Sequence, residues 1–218
     1  MIDTGRPSKL LACGIAIAPL FYLVVVGQML TRRGFDIMRH PLSLLALGDS
    51  GWIQVLNFLV AGLLAIACAV GIRKTLTGAA GGTWGALLIA TYGIGMIIAG
   101  LSSADPLPGF PPGVVSEIAP QQSGHAIGHG IGFLIAFVSL ITACFVFARR
   151  FSRREDRGWA LYSTATGVVT LLLIALGMAV QPAASLSFFV VGIIAFGWIG
   201  ALAAKLTRDV RLPTQKRT

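Results

Sequence analysis

Long apolar stretches separated by short polar clusters dominate this chain. Six of them, residues 10–30, 53–72, 83–101, 126–148, 159–180 and 186–204, approach the roughly 20 residues that cross a bilayer as a helix. None alternates with a period of two, and each is too long for one barrel strand. Backbone N–H and C=O groups in hydrocarbon must be satisfied within the segment itself, which leaves helix. The pattern predicts an all-α, polytopic membrane protein with six transmembrane helices in a single domain over residues 1–218. Two connections are long, 31–52 and 102–124. The first contains PLSLLALG (Pro41 to Gly48), apolar but too short to span. It reads as a short helix lying at the interface or dipping back into the bundle. The second, with Pro106, Pro108, Gly109, Pro111, Pro112 and Gly113, is rich in turn formers and reads as a rigid loop.

Composition agrees. Hydrophobic residues make up 56% of the chain, charged residues 11%, and the mean hydropathy is +0.83. A soluble domain carries about 25% charge, so a soluble enzyme, a disordered chain and a secreted disulfide scaffold are all excluded. The net charge of +9 does not point to nucleic acid, because the basic residues sit in short loops beside apolar runs. Of the 17 Lys and Arg, all but Arg32, Arg33 and Arg39 fall in the N-terminal segment, the second and fourth connections or the C-terminal tail. The positive-inside rule then puts both termini in the cytoplasm, most simply at a bacterial inner (plasma) membrane. Trp52, Trp84 and Trp159 sit at span ends, as interface anchors do. Leu10, Leu11, Ala12 and Cys13 imitate a lipoprotein box, but the apolar run follows the cysteine, so this segment reads as a retained first span. Cys13, Cys68 and Cys144 each lie within an apolar run and read as packing residues.

The candidate chemistry is confined to one face. His40, His125 and His129 are the only histidines, and the charge count assigns all three, with Asp105 and Ser43, to the non-cytoplasmic side. His125 and His129 are four residues apart, hence on one helix face. Such a pair suits one metal ion. His40 would add a third ligand, and Asp105 a fourth ligand or a base. The bland alternative is that His125 merely meets water and His129 bonds Asp105 or a carbonyl. Gly124, Gly128 and Gly132 form a small-residue stripe beside the pair, whose ordinary meaning is close helix packing. Gln54 and Asn57 lie at the same depth, as donors supporting such a cluster or as interhelical hydrogen bonds. No span carries a central Lys, Arg, Asp or Glu, which weighs against a proton-coupled transporter or an ion channel. A b-type haem is disfavoured, because two histidines one turn apart cannot reach opposite haem faces.

Several strings, taken together, resemble the domain of unknown function 998 family. They are His40-Pro41-Leu42-Ser43 with Leu45 to Gly48, Gly51 to Gln54, Asp105-Pro106 with Gly109 to Gly113, His125 to His129, and Arg157-Gly158-Trp159 with Tyr162-Ser163. That resemblance implies a six-helix bacterial membrane protein and brings no established activity. A second likeness is one of ingredients only. Membrane hydrolases of the alkaline ceramidase and adiponectin receptor kind hold zinc with three His, an Asp and a Ser for amide hydrolysis of lipids. It would give those parts to His40, His125, His129, Asp105 and Ser43. The chain departs from that pattern in having six spans instead of seven and His40 ahead of Ser43.

Two functional readings therefore stand side by side. In one, His40, His125 and His129 bind zinc, Asp105 and Ser43 are catalytic, and a lipid-like substrate enters from the outer leaflet. In the other, the protein is non-enzymatic, a partner subunit or lipid-binding module, and the same residues form a structural hydrogen-bond network. Membrane lipids are partners in both, and a protein partner or a second copy of the chain is left open.

Overall fold

The computed structural model describes residues 5–114 and 122–211. Among them are six long helices, α1 (Gly5–Thr31), α2 (Gly51–Thr75), α3 (Trp84–Leu101), α4 (Gly124–Ser152), α5 (Arg157–Ala179) and α6 (Gln181–Arg211). All six are long and apolar enough to cross a membrane. The six expected spans are thus all present. Most run further than the hydropathy pattern suggests, because polar and basic residues extend a helix into the interface without interrupting its backbone bonds. α6 gains most, continuing through Lys205, Arg208 and Asp209. Lys216, Arg217 and part of the second long connection, residues 115–121, lie outside the described residues.

The helices pack in chain order, each against the next, and α1 closes the ring against α6. Aromatic side chains fill the middle. Phe21 of α1 lies 4.9 Å from Phe196 of α6 and 5.6 Å from Phe58 of α2, and Tyr92 of α3 lies 6.3 Å from Phe196 and 6.1 Å from Phe137 of α4. These offset and edge-on contacts leave a packed interior. Lipid-facing residues such as Leu23, Leu63, Leu134 and Leu172 point outward.

Small residues set the spacing along α3. A Cβ on Gly95 would lie 2.5 Å from the Ala136 nitrogen of α4, and one on Gly132 would lie 2.5 Å from the Ala99 nitrogen of α3. Gly62 and Gly93 make the same close approach between α2 and α3. In lipid, where apolar burial does not drive helix association, such backbone proximity supplies the packing energy. Of the three glycines in the α4 stripe, Gly132 is explained this way, and Gly128 makes room for the Ser102 side chain at the end of α3. Gly124 meets nothing within 4 Å.

The first and third connections lie on one face, the loop face. The basic second and fourth connections lie on the other. On the loop face, PLSLLALG forms a 3-10 turn over Leu42–Ala46 that buries Leu44 and Leu45 against α2 and α6.

Candidate functional site

The loop face is organised around His40. The backbone N–H of Asp36 donates to its Nδ1 at 3.0 Å, and its Nε2 lies 3.1 Å from the Pro108 carbonyl. A carbonyl only accepts, so Nε2 carries the proton and donates, while the lone pair on Nδ1 is taken by Asp36. His40 is 2% exposed. It therefore joins the first connection to the second long one through two backbone groups. Phe110, fully buried, packs beside it with ring centroids 5.7 Å apart, and Phe35 stands edge-on to Phe110 at 5.3 Å.

Arg32 covers the same cluster. Its guanidinium sits 5.3 Å from the Phe110 ring centroid, within cation–π range. It also donates to the carbonyls of Leu45, at 3.1 Å, and Leu47 at the end of the 3-10 turn. Burial lowers the Arg32 pKa from its ordinary value, with the charge of Asp49 opposing. The two connections approach so closely that a Cβ on Gly34 would lie 2.9 Å from the Gly109 carbonyl. Gly34 also has φ +82°, a conformation glycine adopts without steric cost. Ser185 of α6 completes the clasp by donating to the Ile37 carbonyl at 2.6 Å.

Asp105 acts at the entry to α4. Its Oδ2 accepts from the Ser123 backbone N–H at 3.0 Å, and Ser123 caps α4 by accepting from the Ala126 N–H at 3.0 Å. Hydrogen bonds from Ser123 hold the Asp105 carboxyl below its ordinary pKa. A carboxylate here also meets the positive end of the helix dipole. His129, one turn into α4, places Nδ1 2.8 Å from the Ala99 carbonyl and 3.0 Å from the Ser102 carbonyl. Both partners are acceptors, so Nδ1 carries the proton, and the ring ties α4 to the end of α3. His125 is exposed, and Ser43 is half-buried in the 3-10 turn.

The fit to a metal can be judged from these lone pairs. A catalytic zinc takes about three protein ligands, each presenting an unprotonated nitrogen, thiolate or carboxylate. His40 has neither nitrogen to spare, and His129 retains only Nε2. Among the described residues, no three His, Cys, Asp or Glu side chains group closely enough to hold a metal ion. The expected shell of His40, His125 and His129, with Asp105 beside it, is not assembled. The reason is local. Nearby backbone groups engage His40 and His129, and His125 is exposed at the start of α4.

Gln54 and Asn57 serve the bundle itself. The Asn57 amide donates to the Phe21 carbonyl at 3.1 Å and to Gln54 Oε1 at 3.3 Å, and Gln28 Nε2 donates to the same oxygen at 2.8 Å. This joins α1 to α2 through fully or nearly buried amides. Sequence reading missed Gln28, Asp36, Phe110 and the structural part of Arg32. Only Phe110 carried a usable signal, an aromatic residue framed by prolines and glycines in an otherwise polar connection.

These features define a class: an all-α, six-span membrane protein whose long connections are clasped over one end of the bundle. The chain belongs to a family described as a protein of unknown function (DUF998), whose model matches residues 15–205. No curated protein and no solved structure matches the chain.

Proposed function

We propose that this protein is a non-catalytic membrane module whose histidines build a rigid cap on the loop face. The supporting observation is that both ring nitrogens of His40 are already committed to backbone partners in two different connections. A zinc ligand must offer a free lone pair, and breaking either bond would leave a buried N–H or C=O unpaired, at about 1–3 kcal/mol each. A rigid cap suits a subunit that presents a fixed surface to a partner or to lipid. Zinc analysis of the purified full chain beside its His129→Ala variant tests this. Equal, sub-stoichiometric zinc in both is expected. One zinc per chain, lost in the variant, would overturn the reading.

We also propose that the basic face lies in the cytoplasm and the loop face outside, at a bacterial inner membrane. The support is the distribution of Lys and Arg. The three native cysteines lie within spans, so introduced ones report cleanly. In intact cells, an impermeant maleimide should label Asp49→Cys and spare Ser152→Cys. The reverse pattern would invert the topology.

A further inference from the structure

The loop face also carries a groove of about 350 Å³ where the end of α5 and the start of α6 meet the two long connections. That volume lies within the range of small-molecule sites. Arg39 and Gln181 supply its polar edge, and Leu107, Met178 and Phe188 supply apolar wall. Arg39 and Leu107 adjoin the histidine clasp through backbone bonds to Asp36 and Phe110, but none of these side chains bonds an imidazole, so lipid binding is tested separately from the role given to the histidines.

The character of the groove is split along its length. Arg39 is exposed and offers a guanidinium fork that matches a phosphate geometrically. α6 begins at the groove with Gln181 and has no acidic residue in its first turn, so its positive dipole end adds to the same potential. Met178 is 69% exposed, and Val180 and Leu186, on either side of the α5–α6 turn, are also exposed, so the apolar part is continuous with the surface that meets acyl chains. A cation at the rim of a span with an apolar trough running from it is complementary to one molecule present at high concentration in that place. We infer that the groove seats one phospholipid by its phosphate, on Arg39, and by the first part of one acyl chain, over Leu107, Met178 and Phe188, with the rest of the lipid in the bilayer.

The test uses the detergent-solubilised full chain titrated with dioleoyl-phosphatidylglycerol in mixed micelles, with bound lipid per protein read by native mass spectrometry. One lipid should be retained. Arg39→Gln should weaken retention about tenfold, the scale of one lost charge-assisted hydrogen-bond pair. Arg33→Gln, an exposed cation in the same connection outside the groove, should change it less than about twofold, as screened surface charge does. Dioleoylglycerol, which lacks the phosphate, should bind about tenfold more weakly and be indifferent to Arg39→Gln. Glycerol 3-phosphate, which lacks the chains, should not displace the lipid. Ala184→Phe should fill the groove and abolish retention without altering charge, and Gln181→Trp at its exposed mouth provides a second obstruction if the first unfolds the protein.

Equal losses in Arg39→Gln and Arg33→Gln would reduce the effect to diffuse surface charge and overturn the proposal. Undiminished retention in both obstructing variants would place the lipid elsewhere. Displacement by glycerol 3-phosphate would make the groove a site for a soluble phosphate ester instead.

Discussion

The two ends of the bundle are held together by different physics. On the loop face, the clasp consists of a buried imidazole, two phenyl rings, one guanidinium over an aromatic face, and hydrogen bonds to backbone carbonyls. On the basic face, the connections are short and charged side chains do the joining. Lys205 of α6 bridges Asp156, the N-cap of α5, and Asp209, each at 3.2 Å. Arg150 of α4 is almost wholly buried and donates to the Ala80 carbonyl in the α2–α3 turn. The difference follows from connection length. A short turn is positioned by the helices it joins and needs only trimming at its surface. A connection of some twenty residues must bury apolar groups of its own to offset the entropy of ordering it.

That contrast predicts a hierarchy of effects in thermal or denaturant unfolding of the solubilised protein. Phe110→Ala should be the most damaging, about 3 kcal/mol or more, because it removes a fully buried aromatic at the centre of the clasp. A loss under about 1 kcal/mol would mean that the loop face has no core of its own. His40→Ala should cost about 2 kcal/mol, through the Asp36 N–H and Pro108 carbonyl left unpaired. Amide exchange at Asp36 would report the same event locally. Lys205→Ala on the basic face should cost at most about 1 kcal/mol, since its partners are partly exposed. That loss should shrink in high salt, whereas the His40→Ala loss should not. The smallest effect concerns acid. Asp105 has its folded pKa depressed by Ser123, so its contribution is complete above the ordinary carboxylate value and disappears as pH falls through the lower, folded one. Asp105→Asn keeps an acceptor for the Ser123 N–H but removes the titrating charge, so it should flatten the stability profile of the wild type in that acid range and leave at neutral pH only a fixed loss of the charge's contribution.

Much of the fold was readable from the sequence because hydropathy over twenty residues is a strong, local signal. A close approach along α4 was readable in part from glycines every fourth residue, but not that α3 is the neighbour, and Gly124 meets nothing within 4 Å. The candidate site was not readable. The identities of His40, His125, His129 and Asp105 suggested a shared centre, but identity says nothing about which neighbour reaches a side chain first. The partners that won were the Asp36 N–H and Pro108 carbonyl for His40, the Ala99 and Ser102 carbonyls for His129, and the Ser123 N–H for Asp105, while His125 is exposed. Backbone groups are the same at every residue, so no pattern of side chains announces them. Arg32 misled in the opposite direction. Counted as one charge among those that set topology, it turns out to terminate the 3-10 turn and roof Phe110.

The ring order of the helices bears on how the chain is made. Each helix emerging during synthesis finds its chain-order neighbour already inserted, and every consecutive pair of helices forms a seam. The seams that α6 makes, with α5, α1 and part of α2, must wait for the last helix, and until then α1 and α5 each expose one flank to lipid or to chaperones. Ribosome-stalled chains ending after α5 should therefore be protease-resistant over their early hairpins yet remain open at that single gap. Insertion of α6 would then be the step that converts a membrane-embedded arc into a closed assembly.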